Sequence, residues 1–219
     1  MRLLKNYGLS IALIILFLIC LIGMAISGYA ESNQEKQQKN EPTVSFGQYL
    51  TSGDFAEPLF VNWESEFLQQ FAYVVLTIFL FQKGSSESKK LDGSDPVDER
   101  PEPHAHDPHA PWPVRAGGLA LLLYRNSLSL AFAALFILSF VLHGVGGLAA
   151  YNESQVRHGQ SAVSLVQFLG TARFWSQSFQ NWQSEFLSVF AIVTMGIFLR
   201  QYGSPESKPV HAPHSETGH

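Results

Sequence analysis

Two glutamates occupy the same place in two near-identical stretches, "NWESEFL" at residues 62–68 and "NWQSEFL" at residues 181–187. Glu66 and Glu185 persist between the copies, whereas Glu64 in the first has become Gln183 in the second. Two carboxylates brought face to face at the edge of an apolar region can bind a cation or relay a proton, because an ionisable group there is costly unless paired or used. His143 is a third candidate for such an ion or proton site, since it stands alone in an apolar run. Its position in the first copy is Met24, which sets it outside the repeated pattern. A fourth group, His104, His106 and His109 beside Asp107, has the imidazole chemistry to hold zinc, nickel or copper, at a spacing that matches no closed structural site.

The motif also has a plainer reading as a helix start at a membrane interface. Asn62 and Asn181 are residues that cap helix N-termini, and Trp63 and Trp182 suit an interfacial aromatic belt. Glu66 and Glu185, four residues on, would complement the positive end of the helix dipole. Both readings require the same elements.

Shifting the chain by 119 residues superposes residues 9–89 on residues 128–208 without a gap, and 32 of those 81 positions are identical. This is the signature of an internal duplication. Identity concentrates in "NW-x-SEFL-x-x-FA" and the "Q-x-GS-x-ESK" that closes each copy, and thins upstream, where the charged "ESNQEKQQKNE" has only scattered counterparts in "AYNESQVRHGQ".

The charges crowd into a few segments, leaving long apolar blocks. Residues 9–26 and 128–150 are long enough to cross about 30 Å of hydrocarbon. The run 67–81 is shorter than the roughly 17 to 25 residues a spanning helix needs, so that helix must start near Asn62, and its counterpart near Asn181. The expectation is an all-α polytopic membrane protein with four spans, at about 9–28, 62–82, 127–149 and 181–201, arranged as two tandem helix pairs. Residues 1–89 form the first pair and 123–208 the second. Residues 90–122 are a flexible His- and Pro-rich cytoplasmic linker, and 209–219 a disordered tail. Two spans per copy insert both copies in one orientation. Lysine and arginine near the helix ends favour cytoplasmic termini. Signal-peptide cleavage after "SGYA" is disfavoured, because the matching "GGLAA" lies in mid-chain.

Between the spans of each pair, aromatic and aliphatic residues in "VSFGQYL" and "VSLVQFL" fit a short helix lying on the headgroup layer. The single cysteine, Cys20, permits no intramolecular disulfide, and the "FLI" before it lacks the small residue of a lipoprotein anchor. The net charge of −4 offers no basic footprint for nucleic acid. No phosphate-cradling glycine loop, nucleophile elbow, HExxH or cysteine pair is present, so neither an enzyme nor a cofactor is expected.

The stretches "NWESEFLQ", "NWQSEFL" and "SPESKPV", with the opening "LLKNYGLS", resemble a family of uncharacterised bacterial membrane proteins grouped as a domain of unknown function. The resemblance runs over nearly the whole chain and implies a bacterial four-span protein of the cytoplasmic membrane. It implies no activity. The role expected is that of a non-enzymatic scaffold or partner-binding protein, in contact with the lipid bilayer and with a second copy or another membrane protein. The alternative is a small cation or proton transporter or channel using Glu66 and Glu185.

Overall fold

Long runs of Leu, Ile, Ala and Phe that lie outside water must satisfy their backbone groups internally, and the α-helix does this within one segment. The computed structural model, which describes residues 2–93 and 95–218 with side chains from Leu4 onward, is helical, with no strand among the described residues. Among the described residues the α-helices are α1 (Arg2–Gln38), α2 (Phe46–Leu50), α3 (Gly53–Phe79), α4 (Trp112–Ala116), α5 (Gly118–Arg125), α6 (Ser127–Arg157), α7 (Leu165–Leu169) and α8 (Ala172–Phe198). By length and composition two of them, α1 from Leu4 and α6, are long and apolar enough to cross a membrane.

The matched copies fold alike. The helices α2 and α3 recur as α7 and α8 with bounds displaced by the same 119 residues, and α1 and α6 end at equivalent positions. Both of those ends are closed in the same way. Asn40 (φ 56°) and Gly159 (φ 71°) enter the left-handed region. The following amides, of Glu41 and Gln160, then reach back to the carbonyls of Lys36 and Gln155, each at 2.8 Å. Beyond the turn, Asn33 and Asn152 each grip a valine backbone twice. The Asn33 amide donates to the Val44 carbonyl (3.1 Å) and accepts from the Val44 amide (2.8 Å), and Asn152 does the same with Val163 at 3.0 and 2.8 Å. Ser45 with Gln48, and Ser164 with Gln167, then form capping boxes that start α2 and α7.

The helix starts expected at Asn62 and Asn181 are corrected. Both residues lie in the third turn of their helices, because the chain turns helical earlier. The cap of α8 is Thr171, whose Oγ1 accepts from the Phe174 amide at 3.3 Å. In α3 the Ser52 carbonyl accepts from the Ala56 amide at 3.1 Å. Asn181, freed from capping, donates its side-chain amide to the Gln177 carbonyl one turn back at 2.9 Å. The linker and tail also depart from expectation. Residues 95–125 hold two short 3-10 turns, Pro96–Asp98 and Glu102–His106, as well as α4 and α5.

The chain divides into two compact units, each drawing on both matched copies. The first comprises Met1–Phe60 and Val141–Phe174. Its centre is the fully buried pair Phe168 and Phe174, in edge contact at 5.7 Å between centroids. There the start of α3 presses on α6 through glycine. A Cβ on Gly146 would lie 2.8 Å from that of Ala56, and one on Gly53 would collide with the Ala150 backbone. Small residues at such crossings let backbones approach where lipid supplies no hydrophobic drive.

The second unit comprises Val61–Phe140 and Trp175–His219. It contains the Trp175, Phe179 and Trp182 rings, in mutual contact at 5.3 to 6.3 Å. The turns after α3 and α8 also belong to it. In the first of these turns Ser88 Oγ accepts from the Gln82 amide at 3.0 Å, and in the second Ser207 Oγ accepts from the Gln201 amide at 2.9 Å. The tail, expected to be disordered, is tied down here. Lys208 is 1% exposed and its Nζ donates to the carbonyls of Pro213, His214 and Glu216 at 3.0 to 3.3 Å. The Gly84 amide donates to Thr217 Oγ1 (2.9 Å), and the Gly218 amide to the Ser85 carbonyl (3.0 Å). A buried ammonium needs acceptors, and the curled tail supplies them from its own backbone. His219 lies outside the described residues.

Candidate functional site

Residues two apart on an α-helix point some 200° away from each other. That arithmetic separates the acids of the motif: Glu64 is fully buried while Glu66 is exposed. Glu64 accepts a hydrogen bond from the Trp182 indole Nε1 at 2.9 Å, so the variable acid of the first copy meets the invariant tryptophan of the second. Ser65, also buried, donates to the Asn62 carbonyl at 2.7 Å, and Ser184 repeats that bond to Asn181. Glu185 is half-buried and within electrostatic range of Glu66. Trp63 and Trp182 are half-buried.

The interior face of α3 is mostly polar. Glu57, Val61, Glu64, Ser65 and Gln69 are its buried positions from the second turn onward, and they fall at helical spacing on one stripe. Leu76, Ile78 and Phe79, by contrast, are exposed. This is an amphipathic helix turned inside out.

In the first unit Glu57 is 6% exposed, and Arg173 Nη2 donates to both of its carboxylate oxygens, at 2.9 and 3.1 Å. The guanidinium lies over the Tyr151 ring, 5.8 Å from its centroid, a cation–π arrangement that anchors the partly exposed end of the pair. His143 is fully buried and stacked on Phe174, with centroids 4.7 Å apart and planes at 20°. One turn on, Gly147 leaves room for Glu57, whose Oε1 would stand 3.3 Å from any Cβ placed there. Nearby Tyr49 is 3% exposed; burial first, and then the charges of Asp54 and Glu31, push its hydroxyl above the usual tyrosine range.

The candidates read from the sequence therefore divide. Glu66 and Glu185 belong to the second unit and His143 to the first. His104 instead engages Glu99, Nε2 to Oε1 at 3.0 Å. No three His, Cys, Asp or Glu side chains converge to hold a metal ion among the described residues, and His106 is exposed. Glu57, Arg173 and Glu64 are not among the residues that the sequence singles out as a site. The signal that would have found Glu57 and Glu64 is the stripe of polar residues at helical spacing within α3; persistence between the copies pointed elsewhere.

No curated protein and no solved structure matches this chain. One family model does, over residues 1–219, the full length. The chain therefore belongs to the family described as Domain of unknown function (DUF6766).

Proposed function

We propose that this chain is a four-span, non-enzymatic protein of the bacterial cytoplasmic membrane, built from two duplicated helix pairs, that serves as a scaffold or partner-binding subunit. The observation that carries the reading is the inverted distribution of its side chains. Glu57, Glu64, Ser65, Gln69, Ser139, His143 and Ser178 are buried, whereas Leu13, Leu16, Ile19, Leu76, Phe79, Leu138, Phe190 and Phe198 are exposed. Only 6% of the most apolar stretch of α1 is buried. A soluble protein rarely leaves contiguous apolar patches of that extent open to water. In hydrocarbon the same surface costs nothing, and the polar groups have reason to turn inward.

The two remaining spans in this reading are α3 and α8, whose second halves carry the apolar residues, with both termini and residues 90–122 on the cytoplasmic side. The scaffold role is preferred because Glu66 is open and the buried acids are engaged, Glu57 by Arg173 and Glu64 by Trp182. Single cysteines placed in a Cys20→Ser background at Gln34 near the end of α1, Asp92 in the linker and Val210 in the tail test the topology with an impermeant thiol reagent. Positions 92 and 210 should label only in inverted vesicles and position 34 only in intact cells. Labelling of 34 and 92 from the same side would overturn the four-span arrangement.

The transport alternative rests on the electrostatic proximity of Glu66 and Glu185. Cation- or proton-dependent flux in proteoliposomes that disappears in Glu66→Gln plus Glu185→Gln would replace the scaffold reading. Absence of flux in the unaltered protein would remove the alternative.

A further inference from the structure

The stretch just before α6 is "WPVRAGGLALLLYRN", residues 112–126. It folds as α4 and α5, broken by Gly117 and Gly118 at φ +66° and +55°, backbone settings that favour glycine. Val114 and Leu121 are buried, and α4 packs on α5 and on the 3-10 turn Glu102–His106. The other apolar side chains turn outward. Trp112 is 67% exposed, and Leu119, Leu122 and Leu123, at the i, i+3, i+4 spacing of one helix face, are 46% to 69% exposed. Tyr124 adjoins them at 45%.

Charge and continuity say what covers this face. From residue 108 to residue 152 the chain holds no acid, while Arg115 and Arg125 flank the apolar stripe, both exposed and neither in an ion pair among the described residues. Only Asn126 separates α5 from α6, which is one of the two helices long and apolar enough to cross a membrane. A helix joined so closely to a span is confined to the boundary layer of the same bilayer. A leucine and tryptophan face bordered by arginines is the composition that lies in that layer beside anionic headgroups.

We infer that α4 and α5 form an in-plane anchor that seats Trp112, Leu119, Leu122 and Leu123 in the cytoplasmic leaflet, with Arg115 and Arg125 binding the phosphates of anionic phospholipids. The inference rests on the membrane-spanning reading of α6 given above. Its consequence is that the boundary residues of α6 are held at a fixed depth and the linker leaves the membrane at Trp112 instead of at Ser127.

The test uses the full chain, Cys20→Ser, in vesicles of phosphatidylcholine with phosphatidylglycerol. Spin labels are placed singly at positions 119, 122, 123 and, as a reference within the span, 138. Collision with oxygen reports lipid, and collision with a water-soluble nickel chelate reports solvent. The labels at 119, 122 and 123 should match the one at 138: open to oxygen and shielded from nickel. Arg115→Gln and Arg125→Gln should each lower the ratio of seated to lifted α5 roughly fivefold. Nickel access at 122 and 123 with 138 still shielded would overturn the anchor alone, whereas nickel access at 138 would overturn the spanning reading. Labels shielded from both reagents would mean a protein partner covers the face, and overturn the lipid assignment. Unchanged shielding in the double glutamine variant, or in pure phosphatidylcholine, would overturn the role of anionic headgroups.

Discussion

The two copies of the motif share a backbone and divide the labour of their side chains. Residues 62–68 and 181–187 lie at equivalent places in α3 and α8 and repeat the same serine-to-carbonyl bond at 2.7 Å. Yet in one copy the variable position is a buried acid, Glu64, and in the other it is an exposed amide, Gln183. The closing turns behave alike: Lys89 reaches the surface carboxylate of Asp98 at 2.8 Å, while Lys208 is buried among backbone carbonyls. Backbone hydrogen bonds are satisfied locally and so recur in both matched stretches. Interior side chains answer to what faces them, and are the first to diverge.

Breaking that asymmetry at its most buried pair should have the largest effect. Glu57→Ala removes both carboxylate partners of the Arg173 guanidinium, whose own end is partly open to solvent, and should cost about 1.5–3 kcal/mol. Glu35→Ala, which removes an exposed i,i+4 partner of Lys39, should cost under about 1 kcal/mol. Thermal unfolding of both variants in one detergent would rank them, and equal melting temperatures would deny the Glu57 pair its structural weight.

The motif itself comes next. Glu64→Ala leaves the Trp182 indole without this acceptor and should cost about 1–3 kcal/mol, with a shift in tryptophan emission. Gln183→Ala, on the exposed face of the other copy, should stay within about 0.5 kcal/mol. If the two alanine variants melt together, the distinction between buried and open copies fails.

A smaller effect separates the lysines. Lys208→Met should release the tail and raise amide exchange at Gly84 and Gly218 without altering the helices, while Lys89→Met should leave both amides protected. The pH dependence gives the last contrast. Burial first, and then the Arg200 charge, hold Lys208 below the usual lysine range. The unfolded chain therefore binds the extra proton between that lowered value and the ordinary one near 10.4, and stability rises with pH through that window. Tyr49 acts in the opposite sense: its hydroxyl is held above the ordinary value near 10, so the unfolded chain loses its proton first and stability falls as pH passes 10. Lys208→Met should remove the rise and Tyr49→Phe the fall in unfolding curves taken across the alkaline range.

Much of the architecture was legible before any coordinates. The apolar runs give α1 and α6, and the shift of 119 residues anticipates that α3 and α8 share their bounds. What the run lengths could not give was where α3 and α8 begin. Their starts are set by Thr171 and by the turn at Thr51 and Ser52, in segments too polar to be read as part of a span. The site was less legible for a related reason. Persistence between the matched stretches singled out Glu66 and Glu185, but what matches there is what the local backbone demands. Glu57, Glu64 and Arg173 gain their surroundings only when distant segments meet. In the linker, proline pre-sets the turns that precede α4, at the start of the Glu102–His106 turn and of α4 itself.

The paired grips of Asn33 on Val44 and Asn152 on Val163 have a meaning in chain statistics. Each fastens two points eleven residues apart with a donor and an acceptor at once. A loop fixed so early in its length loses little entropy on closing, since that cost grows only with the logarithm of contour length. The clasp itself depends on one side chain and one backbone unit, and within the loop it closes the backbone demands only a residue that accepts the left-handed region, Asn40 in one copy and Gly159 in the other. Other loop positions are held by side chains: Lys36 pairs with Glu153 and Arg157 with Glu41, so the two loops are tied to each other as well as to their valines.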